Sequence, residues 1–264
     1  MNIGNKQVQK RYIGTREVLK AYIGEQLVYS GIDPLIAAAQ AAGAKLYLDA
    51  RKATGTGLPT NTPLTTPWVD LSGNSNNATP TNFASTTASG VDVSDPLKPV
   101  WVLEGSDDCF NIIASLSLNI TNAPLAIFAT LKITTGASAG WILSKNVVGA
   151  ADMQYGLYYN SAQFQAYLEG ASRVSVNISQ NIYYNVGFIW DGTNVKVYFN
   201  GVQNGAQQAF SGTLTNRSDM AIGKRANNAV FFKGRIATVT IYSGVNAVES
   251  KILAAEQLIS AAYL

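Results

Sequence analysis

The sequence contains no histidine and only one cysteine, Cys109. A disulfide framework within one chain is therefore excluded, as are zinc sites built from His and Cys clusters and triads that need an imidazole base. Because no imidazole is present to activate the lone thiol, we expect Cys109 to be a small buried apolar group rather than a nucleophile.

Charged residues and long apolar runs are also scarce. Only 13% of the residues are charged, against roughly 25% in an average globular domain. The longest apolar run, residues 35–44, is interrupted by Gln40 and has about half the length of a membrane helix. The first residues also lack the pattern of a signal peptide. We therefore expect a protein without a membrane span that is made in the cytoplasm.

The chain opens with a ten-residue repeat, in which Ile3-Gly4, Ile13-Gly14 and Ile23-Gly24 recur. Runs of β-branched and aromatic residues between these glycines predict a three-stranded β-meander over residues 1–31. So small a unit cannot be stable alone, and it must pack on partners or on the rest of its own chain. The apolar residues that would form an assembly surface are Ile3, Tyr12, Ile13, Tyr22 and Ile23.

Net charge is concentrated in the same segment. Residues 1–30 carry five basic and two acidic residues, which leaves 14 of each sign in the remainder of the chain. The aromatic and glycine-rich signatures of RNA-binding modules are absent. The basic residues are therefore interpreted as a solvated face, and no nucleic-acid partner is expected.

A short helix is predicted next, within a connector at residues 32–44. Asp33 is a good N-cap, Pro34 suits the first helical position, and Gly43 lies where a helix would end. A second helix is predicted over residues 246–262, where Asn246 and Glu249 have the spacing of a capping box.

Residues 45–264 otherwise show strand-length runs separated by turn signals, a pattern typical of a β-sandwich. The dipeptides Asp191-Gly192 and Asn200-Gly201 predict tight turns on either side of one strand. Residues 54–96 are rich in Thr, Ser, Asn, Pro and Gly and are predicted to form long surface loops. Alternation places Trp101, Phe128, Phe188 and Trp190 in the core.

The order of several motifs resembles the laminin-G-like branch of the concanavalin A-like lectin/glucanase superfamily. "LYLDARKATGTG", "WVDLSGNSNNAT", "WVLEGSDDCFNI" and "VGFIWDGTNVKVYFNG" follow one another as in that family, over residues ~44–262. The resemblance implies a mostly β fold, a jelly-roll sandwich of two antiparallel sheets, and usually a binding module. Glu104 and Cys109 depart from the family pattern, which has an aspartate and an aromatic residue there.

The N-terminal repeat resembles the short hairpin repeats that open some bacteriophage tail, fibre and baseplate proteins. That resemblance implies a virion protein with a lectin-like head for host attachment through cell-surface glycans. Its partners would be other virion proteins or copies of itself, most plausibly as a trimer. The alternative function is a bacterial surface or secreted carbohydrate-binding module.

A third hypothesis, a glucanase-like hydrolase, is disfavoured by the acidic residues. Retaining glucanases of this superfamily set two carboxylates about 5 Å apart on one strand, with Glu-x-Asp-x-(x)-Glu spacing. No glutamates here have that spacing. We therefore expect no catalytic residues and no enzyme activity.

Calcium is the alternative role for the Asx-rich loops, and no other cofactor is expected. Oxygen ligands from Asp, Asn and backbone carbonyls suit Ca²⁺, although the same side chains next to glycine also stabilise turns without any metal. The candidate ligands are Asp70, Asn74, Asn76, Asp107 and Asp108.

Sugar-binding sites commonly contain aromatic side chains and nearby amides, because a pyranose ring stacks on an aromatic face. The aromatic residues at predicted strand ends or near loops are Trp68, Trp141, Tyr155, Tyr158 and Tyr159. For each of them, packing in the core is the competing interpretation.

Overall fold

The computed structural model describes residues 33–53, 66–84, 89–113, 115–122, 124–146, 153–225 and 230–264, together with short strands within residues 12–30. In the N-terminal repeat, β1 (Tyr12–Ile13) pairs with β2 (Arg16–Glu17), and β3 (Lys20–Ile23) pairs with β4 (Gln26–Ser30). These are two separate two-stranded sheets, so the described strands do not form the single three-stranded meander that was predicted.

The predicted assembly surface lies outside the described residues. Ile3 is not described, and only the backbone of Tyr12, Ile13, Tyr22 and Ile23 is. The role of these side chains in assembly therefore stays a prediction.

The connector helix forms as predicted, as α1 (Pro34–Ala41). The Asp33 carboxylate accepts the backbone N–H of Leu35 at 2.9 Å, which satisfies one of the free donors at the helix start. The chain leaves the helix through Gly43 at a φ of 84°, a conformation that glycine adopts without strain.

Strands make up most of the remaining chain, and a helix ends it. In chain order they are β5 (Ala44–Asp49), β6 (Ala78–Thr81), β7 (Gly90–Asp92), β8 (Val100–Glu104), β9 (Cys109–Ile112), β10 (Leu125–Ile133), β11 (Ala139–Asn146), β12 (Met153–Asn160), β13 (Gln163–Leu168), β14 (Ala171–Asn177), β15 (Tyr183–Trp190), β16 (Asn194–Phe199), β17 (Val202–Gln203), β18 (Gln208–Ala209), β19 (Asp219–Ile222), β20 (Lys233–Ser243) and α2 (Glu249–Ser260).

Two antiparallel sheets face each other, which confirms the predicted sandwich. The first has the order β17-β16-β15-β10-β20-β8-β7, with β5 also paired to β20 and β18 to β16. The second has the order β14-β13-β12-β11-β19-β9-β6. We call the first the helix-side sheet, because both helices pack on it, and the second the open sheet.

The core between the sheets follows from side-chain alternation. In β13, Phe164, Ala166 and Leu168 are buried in the core, while the residues between them are only partly buried. β10 is apolar along nearly its whole length because the helix-side sheet is covered on both faces. Trp101, Phe188 and Trp190 lie in this core as predicted, and Cys109 is buried.

A second apolar cluster lies on the outer face of the helix-side sheet, under the two helices. It joins α1 and α2 to the sheet, and its larger members are Tyr47, Phe128, Tyr242, Ile252 and Ile259. The predicted Phe128 is thus buried, but beneath the helices. Both described helices pack on this one sheet, so neither of them covers the outer face of the open sheet.

The predicted turns are confirmed on both sides of β16. Asn200 and Gly201 have φ values of 52° and 80°, and the Asp191 carboxylate accepts the backbone N–H groups of Thr193 and Asn194. The prediction of long surface loops over residues 54–96 needs correction.

Residues 54–96 contain β6 and β7 in addition to loops. β6, with its Pro80, is the edge strand of the open sheet, a position that tolerates proline.

The predicted capping box is wrong. α2 begins at Glu249 with Val248 as N-cap, and no side chain caps it. Glu249 instead accepts hydrogen bonds from Lys196 and Tyr198 of β16, so a tertiary contact replaces the local one. Neither described helix is long and apolar enough to cross a membrane.

Candidate functional site

An aromatic cluster lies on the outer face of the open sheet. Trp141 on β11 is paired with Tyr158 on β12, and Tyr167 lies on the next strand, β13. The neighbours Leu157 and Tyr159 belong to the core between the sheets. Because side chains alternate along a strand, Tyr158 points to the opposite, outer face.

The three rings contact one another directly. The centroids of Trp141 and Tyr158 are 4.4 Å apart with the ring planes at 31°. Tyr167 meets Trp141 at 4.9 Å and Tyr158 at 5.9 Å, edge-on in both cases. Such pairs add about 0.5–1.5 kcal/mol each beyond the area they bury, so the cluster is a preorganised surface.

Two glycines allow this arrangement. A Cβ placed on Gly156 would lie 3.1 Å from Trp141 Cζ3 and 2.8 Å from the Leu143 carbonyl oxygen. A Cβ on Gly140 would lie 2.5 Å from the Cα of Phe232. Residues 230–232 therefore run close beside β11. There the backbone N–H of Trp141 donates to the Val230 carbonyl at 3.3 Å. Gly156 thus leaves the space that the indole ring occupies, and the segment at residues 230–232 holds the backbone of Trp141.

A pocket of about 320 Å³ opens over these rings. Its lining residues are Trp141, Met153, Tyr158, Tyr167, Gly170, Arg225 and Val230. Trp141 is only 6% exposed and forms part of the wall, whereas Tyr158 and Tyr167 are half-buried. The volume is at the lower end of the range for small-molecule sites, ~300–1,000 Å³.

Among the described residues that line the pocket, one guanidinium and two phenols contribute to its electrostatics. The Cζ of Arg225 lies 5.9 Å from the Trp141 ring centroid. Burial raises the pKa of both Tyr158 and Tyr167, and Arg225 opposes this effect at Tyr167. Both hydroxyls therefore stay protonated at neutral pH and can donate or accept hydrogen bonds.

Of the predicted sugar-binding residues, the structure brings together Trp141 and Tyr158. The other three are corrected, because they lie in the core. Trp68 is fully buried against Trp101 and Phe110. Tyr155 and Tyr159 are also buried, and their hydroxyls bond the Leu118 carbonyl and the Gln180 amide.

Sequence reasoning missed Tyr167 and Arg225. Tyr167 had a usable signal, because it alternates with Phe164, Ala166 and Leu168 in β13 and so faces outward. Arg225 had none, because it follows the turn at Gly223 and reaches the pocket only through tertiary structure.

The predicted ligands Asp70, Asn74 and Asn76 form a turn network instead. Both Asp70 carboxylate oxygens accept protein donors: Oδ1 takes the N–H groups of Tyr47 and Ser72, and Oδ2 takes that of Asn76 and the Ser72 hydroxyl. The Asn74 and Asn76 amides donate to the Lys45 carbonyl. The loop is thus tied to β5, which supports the turn interpretation, and the role of these three residues as calcium ligands stays a prediction.

Asp107 and Asp108 group with Glu104, with their carboxylate oxygens within 4.8 Å of one another. Such a spacing could hold a cation. Asp108 is fully buried and accepts the Glu104 N–H and the Ser89 hydroxyl. Burial raises the pKa of Asp108, and these two hydrogen bonds oppose the shift.

The chain belongs to the concanavalin A-like lectin/glucanases superfamily, whose laminin G family model matches residues 112–249. The resemblance of residues ~44–262 to this superfamily is thereby confirmed. Among curated protein sequences, none matches this chain significantly.

Solved structures share the fold at low sequence identity. The receptor-binding domain of botulinum neurotoxin D has a TM-score of 0.57 and 13% identity, over 83% of this chain and 53% of that one. The serotype D ligand-binding domain in complex with N-acetylneuraminic acid gives 0.56 and 14%, over 84% and 52%.

An enzyme is also among the similar structures. Trypanosoma rangeli sialidase in complex with sialic acid gives a TM-score of 0.55 and 13% identity, over 92% of this chain and 36% of the sialidase. This chain therefore spans about a third of the sialidase and about half of the toxin fragments. At these identities the likeness is one of fold.

Proposed function

We propose that this chain is a lectin-like module that binds a short saccharide in the aromatic pocket of the open sheet. The observation that carries the proposal is the contact of Trp141, Tyr158 and Tyr167 around a pocket. Aromatic faces pack against the C–H groups of a sugar ring, and the two phenol hydroxyls can bond sugar hydroxyls.

The superfamily and its similar structures support this assignment. One of these structures is a toxin domain in complex with N-acetylneuraminic acid, and another is a sialidase in complex with sialic acid. The location supports it as well, because both described helices pack on the other sheet and neither covers this face.

A glycan array followed by calorimetry on the bound saccharides tests the proposal. Tyr158→Ala and Tyr167→Ala should each weaken binding at least about tenfold, because each removes an aromatic surface from the pocket. Tyr183→Ala is the matched control, since Tyr183 is a half-buried tyrosine that packs with Lys132 on the helix-side sheet. Equal losses in all three variants, or no loss in the pocket variants, would contradict the proposal.

The biological setting we propose is host attachment by a bacteriophage virion. Residues 1–30 would join the chain to other virion proteins or to two further copies of itself, in a trimer. The geometry supports this polarity, because α1, which follows the repeat, packs on the helix-side sheet. A chain held through its first residues would present the opposite, open sheet outward.

The second candidate setting is a bacterial surface or secreted carbohydrate-binding module. Mass spectrometry separates the two settings. A virion protein should co-purify with phage particles through a density gradient, whereas a secreted module should be found in the medium or on bacterial cells.

We further propose that the module binds saccharides without hydrolysing them. Among the described residues that line the pocket, none carries a carboxylate. The acidic cluster of Glu104, Asp107 and Asp108 has a spacing near the ~5 Å of retaining glycosidases, so it must be tested. Incubation with β-glucans and bacterial surface glycans should release no reducing ends. Turnover that disappears in Glu104→Gln would show that the proposal is wrong.

Calcium, if it binds, would be held by that same cluster, and saccharide binding should not depend on it. The lining residues within the described part of the chain supply no carboxylate ligand for a bridging ion. EDTA should therefore leave the saccharide affinity unchanged. In calorimetry with Ca²⁺ alone, Asp107→Asn should weaken binding and Tyr158→Ala should not. A loss of saccharide binding in EDTA would contradict this prediction.

A further inference from the structure

The described residues that line the pocket carry one formal charge, and it is positive. Arg225 lies among aromatic and apolar side chains, next to the Trp141 ring. It also lies close enough to Tyr167 to act on that hydroxyl. A positive charge beside low-dielectric aromatic walls attracts an anion more strongly than the same charge in open solvent.

The backbone before Arg225 is held in place. Gly223 has a φ of 86°, and a Cβ at this position would lie 2.3 Å from Leu103 Cδ2. Its N–H donates to the Ile142 carbonyl, and its own carbonyl accepts the Phe232 N–H. The turn is therefore tied to β11 and to the segment beside it, two residues before Arg225.

We propose that the pocket selects saccharides that carry a carboxylate, such as sialic or uronic acids. The sugar ring would pack on Tyr158 and Tyr167, and the carboxylate would lie against the Arg225 guanidinium. A planar guanidinium matches a carboxylate by two parallel hydrogen bonds. This inference rests on the proposed saccharide-binding function and adds the chemical class of the ligand.

The charge balance of the chain argues against general binding of polyanions. Residues 31–264 carry 14 basic and 14 acidic residues, so this part of the chain provides no net field to attract polyanions. Selection should therefore depend on one local contact, and added salt should weaken binding only slightly.

The test compares matched ligands by calorimetry on the full chain. The pairs are methyl glucuronide with methyl glucoside, and the methyl glycoside of N-acetylneuraminic acid with its methyl ester. A sulfated galactoside is the third arm. We expect each acid to bind about 10- to 100-fold more tightly than its neutral partner, since charge-assisted hydrogen bonds have this strength. Arg225→Gln should remove that difference, so that each acid binds no more tightly than its neutral partner.

Two further variants complete the design. Arg225→Lys retains the charge without the planar geometry and should restore part of the selectivity. Lys251→Gln removes one charge from an exposed position on α2 and should change nothing. Circular dichroism and thermal unfolding confirm that each variant is folded.

The outcomes distinguish this inference from the proposed function. If acids and neutral partners bind equally, Arg225→Gln has no effect and Tyr158→Ala abolishes binding, the pocket binds saccharides and the inference is overturned. If the sulfated galactoside binds as tightly as the acids, the preference for carboxylate is overturned. If no saccharide binds, or Tyr158→Ala has no effect, the proposed function itself fails.

Discussion

Trp141 can lie against β12 only because residue 156 is a glycine. Gly156 is opposite Tyr167 in the sheet, and its missing side chain leaves the space that the indole and the Leu143 carbonyl occupy. The shape of the candidate site therefore depends on a residue that contributes no functional group.

Gly156→Ala should destabilise the protein and weaken saccharide binding together. The added methyl would have to displace Trp141 or the β11 backbone, and such overpacking costs about 1–3 kcal/mol. Urea unfolding and calorimetry measure the two effects. Ser175→Ala, at an exposed position on β14 of the same sheet, should have little effect. A Gly156→Ala variant that binds and unfolds like the wild type would contradict the proposed packing.

Lys145 is an unusual residue because it is a lysine with no exposed surface. Its ammonium donates to Asn119 Oδ1 at 3.2 Å and to the Arg217 carbonyl at 2.5 Å. Burial lowers its pKa from 10.5 to about 8, although Asp219 opposes this effect. Both hydrogen-bond acceptors are neutral oxygens, so the positive charge of the Lys145 ammonium is only partly compensated.

Stability should therefore rise with pH above about 8. Between the folded and unfolded pKa values of Lys145 the unfolded chain binds more protons, so the free energy of unfolding increases with pH. In urea unfolding from pH 7 to 9.5, the wild type should gain about 2 kcal/mol more than Lys145→Met, because the comparison cancels the tyrosines that begin to ionise near the top of this range. Parallel pH profiles for the two proteins would contradict the assignment.

At the scale of elements, α2 is held by a buried carboxylate as well as by its apolar side chains. Glu256 is fully buried and accepts hydrogen bonds from Asn185, Thr240 and Tyr242 at 2.6–2.7 Å. Burial raises its pKa, and these three hydrogen bonds oppose the shift. At the start of the same helix, Glu249 is half-buried and bonds Lys196 and Tyr198.

The contributions of the two glutamates to stability should change in opposite directions with pH. The raised pKa of Glu256 means that its contribution is present below pH ~4.5 and is lost as the pH rises through the folded value. Burial would also raise the pKa of Glu249, but the bonds from Lys196 and Tyr198 lower it. Its contribution is therefore present above pH ~4.5 and is lost on acidification.

Thermal unfolding from pH 3 to 8 should resolve these contributions. Glu256→Gln should remove a decline in stability with rising pH, and Glu249→Gln should remove a gain over the lower part of the range. The Glu249 effect should be the smaller one, because its ion pair is partly exposed. If both variants shifted the profile in the same direction, this account of how α2 is anchored would be wrong.

At the scale of elements, local interactions could be predicted from the sequence, and tertiary interactions could not. Local signals predicted α1 through Asp33 and Gly43, and the turn at Asn200-Gly201, because those interactions lie within a few residues. The capping box at Asn246 failed because Glu249 found tertiary partners on β16. Sequence spacing does not reveal such partners.

The candidate site was only half predictable for a related reason. Tyr155, Tyr158 and Tyr159 are close in sequence, and the face that each occupies depends on strand register. Register shifts occur between Trp141 and Leu143 and between Ala166 and Tyr167, and a shift of one residue exchanges the two faces. The aromatic composition indicated a site, but pairing decided which rings reached it.

At the scale of the whole molecule, the two described helices and the aromatic pocket lie on opposite sides of the sandwich. α1 and α2 pack on the helix-side sheet, and the aromatic pocket lies on the outer face of the open sheet. Oligomerisation through residues 1–30 would thus leave each pocket free, and several pockets would act together on a cell surface with increased avidity.

The last prediction concerns this assembly. Light scattering on the full chain should show an oligomer, with a trimer expected, and a chain that starts at Asp33 should be a folded monomer. The shortened chain keeps every described residue of the core and of both helices, so we expect it to fold. Calorimetry should give the same affinity for a monovalent saccharide in both proteins, whereas binding to a glycan-coated surface should be much tighter for the full chain.

A variant of the full chain separates assembly from truncation. Replacing Ile13 and Ile23 by Asp keeps the length of the repeat but removes part of its predicted apolar surface, so this variant should also be monomeric. The competing hypothesis is that the repeat packs on its own sandwich. In that case the full chain would be a monomer, and the shortened chain would be less stable. If both chains are monodisperse monomers and no virion protein captures residues 1–30, the anchor hypothesis fails, while the saccharide-binding proposal is unaffected.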